Sequence, residues 1–262
     1  MVPTSLIESV APVSADLPHL SKSTSTRGSR LGPALRADLP SGPMLNLGCG
    51  PVQPRGWVNV DGSHRAWFAA KLAPIDRLLT ALGIFPKTEF GPHVRVLDLR
   101  KPLPFADGTV AAIYSGEAWE HFEPQVARRL TQECYRVLAP GGVLRVCVPD
   151  GVQFFSRYLD LIEKANQTPR GSRAQSVAEI RRHVQLYFND ICTRRPGLGS
   201  MGHFHKWQYD EPQLLALFEE CGFLDVERMP FRDSRIPNIA DVERSDFLIV
   251  EGVKPDLGGE VA

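Results

Sequence analysis

The amino-acid sequence predicts an α/β fold, a doubly wound and mostly parallel sheet of seven strands with helical insertions that cover a ligand site. Three observations support this prediction. The chain has 262 residues, enough for one large domain with insertions. From Met44 onward, short apolar runs alternate with helical patterns, as expected where each strand is followed by a helix. Two long connections interrupt the alternation, and such insertions commonly lie over the ligand edge of the sheet.

Seven short apolar runs are predicted as strands. In chain order they are Met44–Leu47, Val58–Val60, Val94–Asp98, Ala111–Ser115, Val143–Val148, Asp225–Met229 and Phe247–Val253. The insertions span residues 64–92 and 151–210, with predicted helices Ala66–Leu82, broken near Pro74, then Val152–Ala165 and Ser172–Asp190. Residues 1–43 mix Pro, Ser, Thr and Gly. They are predicted to form an arm, flexible or folded as a lid over the domain of residues 44–262.

The composition argues against several classes of protein. Thirty basic and thirty acidic residues cancel, so the sequence lacks the positive field of a nucleic-acid-binding protein. The five cysteines form no CxxC pair, which argues against a disulfide framework or a thiolate zinc site. We expect no secretory signal and no membrane span, because no long apolar run is present. These features predict a cytoplasmic protein and leave open whether it is a homodimer.

The first predicted strand ends in a glycine loop, Gly48-Cys49-Gly50. Glycine tolerates a positive φ and lets the backbone approach a ligand closely. A dinucleotide-binding fingerprint needs a third glycine, and Pro51-Val52-Gln53 stands in its place. Asp61 ends the second strand, where its carboxylate can accept hydrogen bonds from both hydroxyls of a ribose. The spacing therefore predicts an adenosine ligand without a pyrophosphate.

A series of motifs resembles those of the class I S-adenosylmethionine (SAM)-dependent methyltransferases, specifically the type 11 group. In order they are Leu45–Gly50, Asp61, Val96–Leu99 with Pro102–Phe105, Ile113–Ser115 leading into Glu120-His121, and Arg136–Gly142. The resemblance covers roughly residues 44–254. It implies a Rossmann-like domain that binds SAM and transfers its methyl group.

The same resemblance implies which residues hold SAM. The glycines would lie under the methionine moiety, the acid after the second strand would hold the ribose, the end of the third strand would meet the adenine, and the end of the fourth would lie near the transferred methyl. These residues are Asn46, Gly48, Cys49, Gly50, Asp61, Asp98, Leu99, Ser115 and Gly116. Two alternatives remain open: Asp98 could cap the following turn, and Cys49 is expected to be a small packed residue and not a nucleophile.

The stretch after the fourth strand supplies candidates for the chemistry. If a helix begins there, Glu117, Glu120 and His121 share one face. Two carboxylates and an imidazole suit Mg²⁺ or Mn²⁺, and this ExxEH arrangement resembles metal-dependent methyltransferases that act on adjacent hydroxyls. A further ligand is expected from the loop that contains His203 and His205. The alternative is transfer without a metal, in which Glu120, His121 or His205 acts directly in acid–base catalysis.

The carboxyl-terminal part indicates the acceptor. It resembles methyltransferases of polysaccharide assembly in His205–Asp210, Leu214-Leu215 and Cys221–Phe223. A looser resemblance is to mycobacterial sugar methyltransferases, including the mannoside 1-O-methyltransferase of the methylmannose polysaccharide pathway. A sugar or oligosaccharide hydroxyl is therefore the predicted acceptor. The aromatic residues available to stack on it are Trp119, Tyr158, Trp207 and Tyr209, with the alternative that they belong to the core, as aromatic residues in helices more often do. The alternatives are a phenol or amine acceptor, or a non-catalytic SAM-binding partner subunit.

Overall fold

The structure, a computed structural model, describes residues 39–84, 90–91, 93–191 and 205–256. Its strands are β1 (Met44–Leu47), β2 (Trp57–Asp61), β3 (Arg95–Val96), β4 (Val110–Gly116), β5 (Leu138–Val148), β6 (Leu224–Arg228) and β7 (Leu248–Val253). Its helices are α1 (His64–Lys71), α2 (Ala73–Ala81), α3 (Pro124–Val137), α4 (Gly151–Gln167), α5 (Arg173–Ile191) and α6 (Glu211–Glu220). Each predicted strand has a counterpart in these described ranges.

The described strands form one seven-stranded sheet in the order β3-β2-β1-β4-β5-β7-β6. Neighbouring strands from β3 to β5 are parallel, whereas β7 is antiparallel to both β5 and β6. The predicted doubly wound, Rossmann-like fold is therefore confirmed. The strand order changes direction between β1 and β4, and ligands of such sheets bind at the carboxyl ends of the strands beside that point.

The hydrophobic core joins the central strands to two helices. Leu45 of β1 and Ile113 of β4 are fully buried and share a cluster with Leu130 of α3 and Phe218 of α6. Burying a side chain of this size stabilises the fold by about 1.5–3 kcal/mol. The core therefore fixes the ends of β1 and β4, which carry the candidate site.

The insertions contain helices where the sequence predicts them. The first is broken at Leu72, and Pro74 lies in the first turn of α2, where its missing N–H needs no partner. In the second, α4 and α5 pack together through the ring of His183, which stacks on Phe154 with centroids 4.2 Å apart.

Parts of all three predicted covering segments lie outside the described residues. These are residues 1–38 of the N-terminal arm, residues 85–89 and 92 of the first insertion, and residues 192–204 of the second insertion, which include His203. The covering roles of the arm and of the insertions stay predictions. Within the ranges that the structure does describe, no helix combines the length and the apolar character needed to cross a membrane.

Candidate active site

A cavity of about 1150 Å³ lies at the carboxyl ends of β1, β2 and β4. It is larger than the ~300–1,000 Å³ of ordinary small-molecule pockets, so it has room for a cofactor and part of an acceptor. One wall contains Gly48, Gly50 and Asp61, and another contains Gly116 and His121. The cavity thus brings the glycine loop and the Glu-His segment to one place.

The glycine loop adopts backbone angles that favour glycine. Gly48 and Gly50 have φ values of 68° and 50°. A Cβ added to Gly48 would lie 2.9 Å from the Cβ of Ala118, so a larger residue would also clash at this position. The Cys49 N–H donates to the Val60 carbonyl at 3.0 Å, which ties the loop to β2. The loop therefore faces the cavity with bare backbone, as a ligand-binding turn requires.

The Asp61 carboxylate is held in place by backbone amides. The N–H of Gly50 donates to Oδ2 at 2.9 Å, and the N–H of Ser63 donates to Oδ1 at 2.8 Å. Asp61 is only 7% exposed, yet it lines the cavity. Because each carboxylate oxygen can accept more than one hydrogen bond, both remain able to accept from ligand hydroxyls.

Asn46 stabilises the same loop through hydrogen bonds of its side chain. Its Nδ2 donates to the Val52 carbonyl at 2.8 Å and to Asn59 Oδ1 at 3.0 Å. Asn46 also lines the cavity. These two hydrogen bonds hold the turn after Gly50 against β2.

The predicted adenine end of the cavity lies around Asp98. Val96, Leu97 and Leu99 line the cavity together with Asp98 and Arg100. The Asp98 carboxylate accepts hydrogen bonds from Arg100 Nε at 2.7 Å and from its NH2 group at 2.9 Å. The Arg100 guanidinium holds the pKa of Asp98 below its usual value. Both interpretations of Asp98 fit this geometry, because the residue closes a turn and also lines the cavity.

Two members of the predicted cofactor set are packed residues. Ser115 is fully buried, and its hydroxyl donates to the Leu47 carbonyl at 2.8 Å, joining β4 to β1. Ser115 is not among the residues that line the cavity, whereas the neighbouring Gly116 is, so a role of Ser115 near the transferred methyl stays a prediction. Burial raises the pKa of the Cys49 thiol to about 12, so it stays protonated near neutral pH, as expected of a residue that is not a nucleophile.

No helix begins at Glu117, so the prediction that three ligands share one helical face is wrong. Glu117 has a positive φ of 55°, and only a short 3-10 turn, Trp119–His121, follows it. The chain turns sharply at this residue, and its carboxylate accepts a hydrogen bond from the Ser245 hydroxyl instead. Glu117 lines the cavity but does not join Glu120 and His121 in the group of metal-ligating atoms found among the described residues.

Glu120, His121 and His205 form that group. One candidate ligand atom from each lies within 4.8 Å of the others, and His205 Nε2 is 4.0 Å from Glu120 Oε1. The two imidazole rings meet edge to face with centroids 5.1 Å apart. The N–H groups of Lys206 and Trp207 donate to the Glu120 carbonyl at 2.7 and 3.2 Å, which fastens the loop before α6 to the turn after β4. Of the three residues, His121 lines the cavity.

Glu120 is buried without a hydrogen bond. It is 1% exposed, and neither carboxylate oxygen has a hydrogen-bond partner among the described residues. Burial raises the pKa of Glu120 to about 8. The hydroxyl of Tyr209 also lacks a partner within the described part of the chain, and burial, then the charge of Glu120, raises the pKa of Tyr209. An unpaired buried carboxylate is costly when ionised, so Glu120 must be protonated or face a positive charge.

The predicted stacking residues are not all available to a sugar. Trp119 is fully buried, and its indole N–H donates to the Thr131 hydroxyl at 3.1 Å, so that prediction is wrong. Tyr209 is only 4% exposed. Trp207 remains exposed beside the cluster, with its indole N–H donating to Gln213 at 2.9 Å.

The sequence analysis missed one segment of the cavity wall. Val242, Arg244 and Ser245 line the cavity just before β7. Because β7 is antiparallel to β5, its amino end lies at the same sheet edge as the carboxyl end of β5. The direction of the last strand is the signal that could have placed these residues at the site.

The comparison with protein families concerns the first half of the domain. Residues 45–146 match the family model described as a methyltransferase domain. Over that stretch the chain is similar to a methyltransferase domain. The matched stretch contains the glycine loop, Asp61 and Glu120-His121. The protein is thus an enzyme of the SAM-dependent methyltransferase class.

Solved structures resemble the chain only remotely. A SAM-dependent methyltransferase from Methanosarcina mazei is 17% identical, with 86% of this chain and 98% of that chain covered and a TM-score of 0.45. A possible histamine N-methyltransferase from Thermotoga maritima is 18% identical, with 84% and 86% covered and a TM-score of 0.41. A SAM-dependent methyltransferase from Archaeoglobus fulgidus is 12% identical, with 81% and 86% covered and a TM-score of 0.44. No curated protein matches the chain. Similarity at this level carries no information on the acceptor.

Replacing Asp61 with alanine is expected to weaken the binding of S-adenosylhomocysteine by about 1–3 kcal/mol, the usual loss for charge-assisted hydrogen bonds. The change removes the carboxylate of a residue that lines the cavity. Calorimetry on the purified protein measures the effect. Asp107→Ala is the control, because Asp107 is an exposed carboxylate bonded to Arg136 and does not line the cavity. Equal affinity in the wild type and Asp61→Ala would remove Asp61 from the cofactor site.

Proposed function

We propose that the protein transfers the methyl group of SAM to a hydroxyl of a sugar or oligosaccharide. The observation that supports this most strongly is the buried Glu120 carboxylate, which has no hydrogen bond among the described residues and lies close to His121 in the cavity wall. A hydroxyl must lose its proton during methyl transfer, and its own pKa lies far above neutrality. An acceptor hydroxyl therefore needs a proton acceptor or a cation at this point, and the cluster offers both.

The polarity of the wall around His121 favours a sugar over a phenol. Glu117, Lys206 and Arg244 line this part of the cavity. Charged groups of this kind suit an acceptor with many hydroxyls, whereas a flat phenol is usually held by apolar walls. Lys206 belongs to His205–Asp210, the segment that resembles methyltransferases of polysaccharide assembly.

In this proposal, each residue of the cluster has a separate task. His121 faces the cavity and accepts the hydroxyl proton as the oxygen attacks the methyl group in line. Glu120 stands behind it and stabilises the positive charge that develops on the imidazole. His205 keeps the His121 ring in place through their edge-to-face contact.

A divalent cation also fits the cluster. Glu120, His121 and His205 would hold it, since their ligand atoms lie within 4.8 Å of one another and the Glu120 oxygens lack hydrogen bonds. Two imidazoles and one carboxylate suit Mn²⁺ better than Mg²⁺, because Mg²⁺ prefers oxygen ligands. When bound, such an ion lowers the pKa of a hydroxyl that coordinates it.

Methyl transfer to a panel of acceptors tests the proposal. The panel contains oligosaccharides, phenols and amines, with S-adenosylhomocysteine release measured and the product located by mass spectrometry. We expect O-methylated sugar to be the main product. Preferential methylation of a phenol or an amine would contradict the sugar acceptor. Tight SAM binding without turnover of any acceptor would favour the non-catalytic partner subunit.

A further inference from the structure

A buried ionic network fastens the loop between β6 and β7 to the sheet. Arg145 of β5 is fully buried and donates to both Glu243 oxygens at 2.7 and 2.9 Å and to Glu251 at 2.8 Å. It also donates to the backbone carbonyls of Asp233 at 2.8 Å and Pro230 at 3.0 Å. A buried network that is fully hydrogen-bonded holds its members in one arrangement. The loop therefore has a fixed position beside the cavity.

The fixed loop places Arg244 in the cavity wall. Its side chain is exposed to the cavity, and its guanidinium donates to the carbonyls of Ala240 and Asp241, both at 2.7 Å, and of Glu243 at 3.1 Å. These bonds orient NH1 and NH2 and leave the Nε–H for another partner. Among the described residues, no carboxylate forms an ion pair with Arg244. A positive charge is thus held toward the cavity by neutral groups.

Arg244 lies on the acceptor side of the cavity. The adjacent Ser245 donates its hydroxyl to Glu117, which begins the segment that ends at His121. Lys206 lines the same side. The cofactor side, by contrast, presents the carboxylates of Asp61 and Asp98. The acceptor side therefore carries two basic side chains, Lys206 and Arg244, beside Glu117, whereas Asp98 on the cofactor side is paired with Arg100.

We propose that Arg244 determines acceptor specificity by binding a negatively charged group of the acceptor, a carboxylate or a phosphate. The proposal rests on the function proposed above and narrows its substrate class to acidic sugars. A guanidinium whose plane is already fixed loses little freedom on binding and pairs well with carboxylate and phosphate oxygens. The acceptor hydroxyl would then lie at His121 while the anionic group contacts Arg244.

Binding of small sugar probes to the protein saturated with S-adenosylhomocysteine tests this. The probes are glucose, glucuronate and glucose 6-phosphate, measured by calorimetry. At least one anionic sugar is expected to bind about 10-fold or more tightly than glucose, the usual gain from one charge-assisted contact. A comparison of the affinities for glucuronate and glucose 6-phosphate shows whether the bound group is a carboxylate or a phosphate. Arg244→Gln should abolish the preference, whereas Arg232→Gln should retain it, because Arg232 is an exposed arginine of the same loop outside the cavity wall.

Three results would overturn the proposal. They are equal binding of all three probes by the wild type, an unchanged preference in Arg244→Gln, and a loss of S-adenosylhomocysteine affinity in Arg244→Gln. The last would assign Arg244 to the carboxylate of the cofactor instead. Because the experiment measures no methyl transfer, its failure leaves the proposed reaction standing and can be told apart from a failure of that reaction.

Discussion

Replacing Glu120 with glutamine is expected to flatten the pH dependence of stability in the metal-free protein and to stabilise it above neutral pH. Burial raises the pKa of Glu120 from 4.5 to about 8 in the folded state. Below about pH 4.5 the Glu120 carboxyl is protonated in both the folded and unfolded states, and its full contribution to the free energy of unfolding is present. As the pH rises toward 8, the Glu120 carboxyl ionises first in the unfolded chain, so the free energy of unfolding falls. The total loss is roughly 4–5 kcal/mol, and glutamine cannot ionise.

The free energy of unfolding by urea, measured with chelator at about pH 5, 6.5 and 8, shows this effect. Glu123→Gln is a matched control, because Glu123 lies nearby on the exposed surface. Parallel pH profiles for the wild type and Glu120→Gln would contradict the account of a buried, unpaired carboxylate. Adding Mn²⁺ at pH 8 should stabilise the wild type and not Glu120→Gln, since binding to the folded state alone shifts the equilibrium. No stabilisation by Mn²⁺ would exclude the metal from this cluster.

Replacing His121 with alanine is expected to slow methyl transfer to the acceptor by roughly 10²–10⁴-fold, the range for loss of a general base. The affinity for S-adenosylhomocysteine should stay close to that of the wild type, because Gly48, Gly50 and Asp61 lie on another wall of the cavity. Single-turnover rates and calorimetry separate the two effects. His93→Ala serves as the control, since His93 is exposed and does not line the cavity. A rate within a few-fold of the wild type would exclude His121 as the proton acceptor.

The strands were predictable because each buried strand leaves a local apolar run. The main error in their bounds is at β5, which begins at Leu138 and not at the predicted Val143. Pro140-Gly141-Gly142 has the composition of a turn, yet these residues continue the strand through a register shift against β4. Pairing with a neighbouring strand determines the conformation of these three residues, and strand pairing is not a local property of the sequence.

The cavity wall that contains Gly48, Gly50 and Asp61 was predictable, because these residues lie at strand ends and in one loop. The differences concern side-chain direction. Ser115 points into the sheet, and Glu117 leaves the expected helical face because its φ is positive. Arg244 was missed for a different reason. Its position depends on Arg145, which reaches across the sheet to Glu243 and Glu251, and no short motif records such contacts.

The position of S-adenosylhomocysteine in a crystal structure of the complex tests the central claim most directly. The claim is that the methyl group is delivered beside the cluster of Glu120, His121 and His205. The cofactor sulfur should lie near Gly116, about 6–8 Å from the His121 imidazole, so that one acceptor oxygen can contact both the methyl group and the ring. A sulfur that points away from His121, or a cofactor bound outside the cavity, would contradict the account.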